Sequence, residues 1–318
     1  SGDISIGDLV YNATFGAGEL ELMLQLGFDA MTLGNHEFDL TPSTLQAVIS
    51  KAFTEKSFPL LSANMVCEDP SYDDLKSYVK DYIIKDINGI KIGIFGMTTP
   101  ETNVQSSPAP INFSEDIADK VMTILEDMQE ADCDFVIYLS HFGFQYDVEF
   151  AKSFPGIDLI IGGHDHYAFE EPYYVKNPLG DDVPIIQCGA YYRHIGKTVI
   201  DFAGEEPAVS YTLISLDENV PELPQFTSAV NQITAMVNET FGISYLQPLT
   251  FAEDEFFETP DDLMEYGPKD TPVGNLVTDA LKSFKNSDIA ITACGLTSQP
   301  LNRGTVTAAD LYRMQRVW

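Results

Sequence analysis

Basic residues are scarce in this sequence. Only 17 Lys and Arg stand against 49 Asp and Glu, which gives a formal net charge of -32 over 318 residues. Such a surface repels polyphosphate backbones and anionic headgroups. The composition therefore argues against a protein that binds nucleic-acid polymers or membrane surfaces. It also repels small phosphorylated molecules unless bound cations reverse the local field. The plainest interpretation of the scattered acidic residues is a hydrated surface that favours solubility.

Long apolar segments are absent too. No run of about 18 apolar residues occurs, so the sequence predicts no transmembrane segment. No secretory leader is visible, and the abrupt start at Ser1-Gly2-Asp3 is compatible with one removed before residue 1. With 318 residues, 44% of them hydrophobic, the chain is long enough for two domains with ordinary cores.

Cysteines are few and far apart, and none forms a Cys-x-x-Cys motif. We expect them to be buried free thiols, and their spacing leaves a disulfide open as the alternative. The four are Cys67, Cys133, Cys188 and Cys294.

Histidines number only five, and four of them stand at the ends of predicted strands. Asn35 and His36 offer an amide oxygen, which suits a hard divalent ion, and an imidazole, which ligates a metal or moves a proton. The fifth, His194, has no such setting and is predicted to be structural. The four lie in three segments: Gly34-Asn35-His36-Glu37-Phe38-Asp39, Leu139-Ser140-His141-Phe142-Gly143 and Gly162-Gly163-His164-Asp165-His166.

Helical and strand patterns alternate through residue 202, which predicts a layered α/β domain with reactive groups gathered where strands end. A loop is expected before Gly18, and Asn88-Gly89 predicts a β-hairpin turn. We predict helices at 19–27, 43–53 and 117–128, and strands at 28–33, 59–64, 82–85, 91–97, 134–139, 158–161, 184–187 and 197–202.

A proline-rich segment at 220–224 breaks the alternation. The amphipathic helix that follows it ends at Gly242 and is interpreted as a linker. A second unit begins near Ile243, with a helix at 273–284 and a strand at 288–292. The predicted domains are therefore 1–218, 219–242 and 243–318.

A metal site needs several converging ligands. In extended backbone, the spacing of His164 and His166 places both imidazoles on one side of the chain. A bridging carboxylate would suit a two-metal site, and composition leaves the choice between Asp3 and Asp8 open. Asp39, three residues after His36, either orients that imidazole or serves as a helix N-cap or a turn residue.

Several segments of the sequence resemble those of a known family. The segment 34–39 is similar to the signature of the 5′-nucleotidase and 2′,3′-cyclic-nucleotide phosphodiesterase family, within the calcineurin-like metallophosphoesterases. The other matching segments are Ser1-Gly2-Asp3, Leu61-Ser62-Ala63-Asn64, Gly96 to Thr102, Leu139 to Gly143, Gly162 to His166 and Gln187 to Tyr191.

The resemblance implies a four-layer α/β/β/α catalytic domain, a linker helix and a partial α/β C-terminal substrate-recognition domain. It also implies two divalent metal ions (Mn, Zn, Mg, Fe or Co), a metal-bound hydroxide that attacks phosphorus, and export to the periplasm or cell exterior. The implied metal ligands are Asp3, Asn35, His141, His164 and His166, and the implied catalytic pair is His36 with Asp39.

Three expected features of the family are missing from residues 1–318. The Asp-x-His motif that precedes the Gly-Asp motif is not present, so either the sequence is a fragment or one metal site is incomplete. The segment 293–298 lacks the family's substrate-holding Asn and Arg, and near Gly267 only Lys269 replaces an expected Arg. The aromatic pair that stacks the nucleobase would come after Trp318.

The leading hypothesis is a two-metal phosphoester hydrolase acting on a small phosphorylated substrate, with a nucleotide or cyclic nucleotide expected first. The alternative is a catalytically weak or inactive relative that binds a ligand or partner. Binding of nucleic-acid polymers is the least favoured reading, and the oligomeric state is left open.

Overall fold

The computed structural model describes residues 1–5, 9–204, 206–217, 219–242, 244, 246–256, 270–292, 297 and 300–314. Short 3₁₀ turns lie at His36–Phe38 and Pro70–Tyr72. The helices are α1 Leu9–Thr14, α2 Ala17–Leu26, α3 Pro42–Ala52, α4 Asp73–Tyr78, α5 Thr102–Gln105, α6 Ala118–Glu130, α7 Phe144–Ser153, α8 Pro224–Phe241, α9 Pro272–Lys285 and α10 Ala308–Met314. The strands are β1 Met31–Thr32, β2 Leu60–Leu61, β3 Met65–Val66, β4 Val79–Lys80, β5 Tyr82–Ile87, β6 Ile90–Thr98, β7 Asn112–Phe113, β8 Phe135–His141, β9 Leu159–Ile161, β10 Tyr173–Lys176, β11 Asp182–Ile186, β12 His194–Asp201, β13 Ala208–Ser215, β14 Pro248–Ala252 and β15 Gly304–Thr307.

The described residues separate into two compact units, one from 1–5 and 19–222, the other from within 6–18 and 223–318. The predicted boundaries at 218 and 242 stay predictions.

A six-stranded sheet in the order β10-β11-β9-β8-β6-β5 forms the centre of the first unit. Its strands β6, β8, β9 and β11 run parallel, while β5 and β10 pair antiparallel at the two edges. The predicted hairpin is confirmed, since Asn88 and Gly89 take φ values of 58° and 91° between β5 and β6.

One face of this sheet is covered by α6 and α7. Buried Val121, Ile124 and Met128 of α6 share a core with Phe95 and Tyr138 of the sheet. The rings of Phe95 and Tyr138 stack at 4.7 Å between centroids. The helices and strands are stable here because each of them has an apolar face to bury.

The opposite face of the sheet meets other strands. The hairpin β12–β13 covers Ile92, Phe135 and Leu159. The small parallel sheet β1-β2-β4 lies against β6 and β8, where the Thr32 hydroxyl donates to the Leu139 carbonyl at 2.8 Å. Helix α3 contacts α4, which follows β2 in the chain and leads directly into β4. The layered α/β/β/α architecture predicted above is confirmed.

The second unit is a smaller α/β assembly. Strands β14 and β15 pair antiparallel, and α9 buries Val273 and Val277 in a core with Val306. Helix α9 begins where the Thr271 hydroxyl accepts a bond from the Gly274 backbone nitrogen at 3.1 Å, with Pro272 in its first turn.

Three expectations about local structure are wrong. Residues 9–14 form helix α1 instead of a loop. Residues 288–292 are not a strand, and Ile289 and Ile291 are 74% and 87% exposed. An apolar run becomes a strand only where a neighbouring strand supplies hydrogen bonds, and the described chain offers none there. The predicted strands at 28–33 and 59–64 shorten to the two-residue β1 and β2.

Cys67, Cys133 and Cys188 are free but only half-buried, so the expectation of buried thiols is wrong for all three. Cys294 lies outside the described residues. Among the described helices, none has the length and apolarity needed to cross a membrane.

Candidate metal centre

Strand ends carry the predicted ligands to one edge of the large sheet. His141 is the last residue of β8, and the loop after β9 holds Gly162, Gly163 and His164. The loop after β1 carries Asn35. Because β8 and β9 are parallel neighbours and β1 lies against β8, their carboxyl ends open on the same side.

Asp3, His141 and His164 form a group that could hold a metal ion, with ligand atoms within 4.8 Å of one another. The Asp3 Oδ2 atom lies 3.0 Å from His141 Nε2. The Asn35 Oδ1 atom lies 3.2 Å from both His141 Nε2 and His164 Nδ1. The structure thus brings four of the predicted ligands together. Of the two candidate carboxylates near the start, Asp3 is in the group, and Asp8 lies outside the described residues.

The charges in this group are coupled. Burial alone would raise the pKa of Asp3, but the adjacent His141 and the backbone of His36 hold it well below its usual range. Burial would lower the pKa of His141, and the Asp3 carboxylate instead raises it. For His164, burial and the neighbouring His141 lower the pKa. The group therefore offers an ionised carboxylate and a neutral imidazole, both of which are metal-ligand forms.

His36 and Asp39 form the predicted pair. His36 Nδ1 lies 2.6 Å from Asp39 Oδ2, and the Ser106 hydroxyl donates to Asp39 Oδ1 at 2.9 Å. The His36 backbone nitrogen donates to Asp3 Oδ1 at 2.9 Å. Asp39 therefore orients the imidazole, although it is also the residue that ends the 3₁₀ turn. Asp39 lies in a turn, as one alternative expected, but it is not an N-cap, since its backbone N–H bonds to the His36 carbonyl at the end of the 3₁₀ turn. Its role beside His36 in catalysis stays a prediction.

His166 is the fifth residue predicted to bind metal. Its ring contacts Tyr191 at 5.5 Å between centroids, and it is outside the three-residue metal group found among the described residues. The expectation of extended backbone is wrong, because His164 and His166 have φ values of 82° and 64°. Its role as a metal ligand stays a prediction.

Glu37 is the residue that sequence reasoning missed. It is 5% exposed, and its carboxylate accepts four backbone N–H bonds, from Gly34 at 2.6 Å, Asp3 and Ile4 at 2.9 Å and Ser5 at 3.0 Å. Burial and the nearby Asp3 carboxylate raise the pKa of Glu37, and the backbone donors oppose that change. Its position inside the 34–39 signature was the only available signal.

Gly2 and Gly34 allow the first residues of the chain and the loop after β1 to lie in contact. A Cβ atom at Gly34 would lie 2.2 Å from Asp3 Oδ1, and one at Gly2 would lie 2.5 Å from the Gly34 nitrogen. Neither distance is possible for a real side chain. The loop and the first residues therefore approach through bare backbone.

The loop after β9 is held by side chains that the sequence analysis did not single out. Gln187 Nε2 donates to the Gly163 carbonyl at 3.1 Å and to Asp165 Oδ1 at 2.9 Å. The other oxygen of Asp165 accepts from the Phe144 backbone nitrogen at 2.7 Å. These bonds fix the turn that presents His164.

A buried acid lies behind His141. Asp147 has no exposed surface, and its Oδ1 bonds to the Ser140 hydroxyl. Its Oδ2 has no hydrogen-bond partner among the described residues, and a Cβ at Gly162 would lie 2.6 Å from it. Burial raises the pKa of Asp147 to about 8.

The family model described as calcineurin-like phosphoesterase matches residues 2–168. The chain belongs to the calcineurin-like phosphoesterase family. The model for the C-terminal domain of 5′-nucleotidase matches residues 259–317, so the resemblance noted from the sequence is confirmed.

The chain spans only part of the length of the relatives that it matches. A trifunctional nucleotide phosphoesterase protein, YfkN of Bacillus subtilis, is 30% identical over 99% of the chain, which spans 23% of that protein. A 5′-nucleotidase of Diplobatis ommata is 27% identical over 91% of the chain, which spans 51% of it. The crystal structure of a 5′-nucleotidase precursor from Thermus thermophilus has a TM-score of 0.79 at 26% identity, covering 97% of this chain and 62% of that one.

Proposed function

We propose that this chain carries the catalytic unit of a metal-dependent phosphoester hydrolase whose substrates are nucleotides. One observation carries the proposal: Asp3, Asn35, His141 and His164 converge beside the His36–Asp39 pair. The relatives named above as nucleotide phosphoesterase and 5′-nucleotidase support nucleotides as the substrate class.

The donor set fits divalent cations. It combines a carboxylate, two imidazoles and an amide oxygen, which together suit Mn, Zn, Fe or Co. The Asn35 oxygen lies equally close to a ring nitrogen of His141 and of His164. Bound ions would supply Lewis-acid stabilisation of phosphoryl oxygens. Asp3, Asn35, His141 and His164 would hold one ion. His166 would hold the second of two ions, with the Asp3 carboxylate shared between them.

His36 is assigned the proton transfer. Asp39 holds Nδ1, so the proton is delivered from Nε2. In hydrolysis a water oxygen bonds to phosphorus and the bond from phosphorus to the ester oxygen breaks. The ester oxygen takes its proton from His36, and the water proton passes to solvent. Asp39 stabilises the imidazolium before that transfer.

Substrate binding should depend on the metal, because the net charge of -32 repels a phosphate dianion. The test is phosphate release from 5′-AMP, a cyclic nucleotide and simple phosphomonoesters by the purified chain with Mn²⁺. The expected result is hydrolysis that disappears with a chelator, falls strongly in His36→Asn and persists in the exposed control Lys51→Gln.

The alternative, a weak or inactive relative that binds a ligand, has its own outcome. Stoichiometric metal without hydrolysis of any ester would support it and overturn the proposed activity. Absence of both metal binding and hydrolysis would overturn the metal centre as well. A location in the periplasm or outside the cell stays part of the proposal, and is checked by fractionating the native host.

A further inference from the structure

A short segment, residues 99–107, contacts two of the proposed metal ligands from outside the centre. The backbone nitrogen of Thr99 donates to the carbonyl of His141 at 2.9 Å. The Oε2 atom of Glu101 lies 3.4 Å from Nε2 of His164. The segment contains helix α5 and none of the proposed ligands. It is therefore placed to orient the centre without belonging to it.

The two ring nitrogens of His164 face different partners. Nδ1 lies 3.2 Å from Oδ1 of Asn35, on the side of the group that could hold an ion. Two ligand atoms that each lie about 2.1 Å from one ion, at a right angle, are about 3 Å apart. Nε2 faces Glu101, which is outside the three-residue group found among the described residues. This arrangement gives Nδ1 to the ion and leaves the ring proton on Nε2.

The other contact of the His164 ring does not select this orientation. The ring meets that of His141 edge to face, with 5.2 Å between centroids. A half-turn about the Cβ–Cγ bond would keep that contact, and the torsion at this bond is roughly two-fold. The half-turn would put a carbon atom where Nδ1 lies and would carry Nε2 away from Glu101. A hydrogen bond at Nε2 is therefore the interaction that distinguishes the two orientations.

Glu101 is itself held in place. Nε2 of Gln105 donates to its Oε2 at 2.8 Å, and its backbone nitrogen donates to the Thr99 hydroxyl at 3.3 Å. A carboxylate on the distal nitrogen of a ligating histidine fixes the tautomer and makes the ligating nitrogen more basic. The Glu101 side chain is half exposed, so its replacement opens no cavity in the core.

We propose that Glu101 is a positioning residue of the metal centre, which accepts the Nε2–H bond of His164 and thereby aims Nδ1 at the ion. The inference rests on the proposed metal-dependent hydrolysis. It adds a residue that touches neither ion nor substrate and acts through metal affinity.

Calorimetric titration with Mn²⁺ tests the role without turnover. Glu101→Met removes the acceptor at similar length and should lower the affinity roughly 10- to 100-fold. Glu101→Gln keeps an acceptor oxygen and should retain most of the affinity. Glu149→Met, at an exposed glutamate that pairs with Lys152, is the matched control and should bind as the wild type does. Gln105→Met leaves the Glu101 carboxylate present and should lose less affinity than Glu101→Met.

Nuclear magnetic resonance tests the ring orientation in the wild type. With ¹⁵N-labelled histidine and ¹¹³Cd²⁺ as the probe ion, the cadmium–nitrogen coupling should appear at Nδ1 of His164, and Nε2 should carry the proton. The His164 signals are identified by their loss in His164→Asn. Coupling at Nε2 would overturn the proposal, because Glu101 would then lie on the side of the ion.

The outcomes separate this role from the proposed activity. Wild-type affinity in Glu101→Met, or an equal loss in Gln105→Met, would overturn the positioning role while ester hydrolysis by the wild type still stood. The expected affinities and coupling in a chain that hydrolyses no ester would support the positioning role and overturn the proposed function. A wild-type chain that binds neither Mn²⁺ nor Cd²⁺ would overturn both.

Discussion

The carboxylate of Glu37 accepts a hydrogen bond from the backbone nitrogen of Asp3 at 2.9 Å. The same Oε2 atom accepts from Gly34 at 2.6 Å. One side chain thereby fastens the segment that carries Asp3 to the loop that carries Asn35 and His36. The metal group depends on a residue that we do not assign as a ligand.

Replacing Glu37 with Gln should weaken metal binding. The new NH₂ group faces backbone N–H donors, so two of the four bonds are lost and Asp3 loses its fixed position. Affinity for Mn²⁺ should fall by roughly 10- to 100-fold, as for other groups that orient ligands. Calorimetric titration measures it, with exposed Glu55→Gln as the matched control. Unchanged affinity in a folded Glu37→Gln protein would contradict this role.

The histidines should differ in metal content. His141→Asn should lose metal, because His141 is the buried centre of the group and contacts both Asp3 and Asn35. His166→Asn should lose one of two ions if the assignment of the second site is right. His194→Asn is the matched control and should keep the wild-type content. Elemental analysis of gel-filtered protein gives the ratio, and equal content in all three variants would refute the ligand assignment.

The His36–Asp39 pair should affect turnover more than metal binding. His36→Asn should lower kcat by roughly 10²- to 10⁴-fold, because the leaving oxygen then departs without its proton donor. Asp39→Asn should lower it less, because the imidazole stays but loses its orienting charge. Steady-state kinetics with parallel metal analysis checks both. A loss of metal that accounts for the loss of rate would show that the pair is structural.

Asp147 should make stability depend on pH. Its pKa is raised to about 8 in the folded state, so the folded state keeps a proton that the unfolded state releases above the usual pKa of 3.8. The free energy of unfolding should therefore fall as pH rises through this window, by at most about 1.4 kcal/mol per pH unit. Asp147→Asn removes the effect and keeps an acceptor for Ser140.

Urea unfolding at pH 5, 7 and 9 tests this. The stability of Asp147→Asn relative to wild type should increase from pH 5 to 7 and level off above 8. Exposed Asp254→Asn should show no such trend. A difference that stays constant with pH would mean that Asp147 is ionised in the folded protein throughout.

Local sequence patterns predicted strands correctly where a neighbouring strand was present to pair with them. The hairpin at 82–98 followed from Asn88-Gly89, and β8 followed from its continuous apolar run. The segment 288–292 failed for the converse reason, since β-propensity cannot show whether a neighbouring strand exists. Helix α1 was missed because it has only six residues, too few for periodicity to emerge.

The candidate site was predictable as a set of residue types and less so as geometry. Strand-end position brought Asn35, His141 and His164 together as expected. The left-handed backbone at His164 and His166 was not foreseen, because Gly162 and Gly163 suggested that the flexibility lay before the histidines. Three of the four backbone contacts of Glu37 span more than 30 residues, and no local pattern encodes them.

The approach of Gly2 to Gly34 has a consequence for how mutations act on this protein. Alanine at Gly34 would place a methyl group on the Asp3 carboxylate and leave every proposed ligand unchanged in the sequence. A survey of variants that looked only for altered ligands would score such a chain as intact. Tolerance to substitution around this centre is therefore set by the space between two backbones as well as by the side chains that meet there.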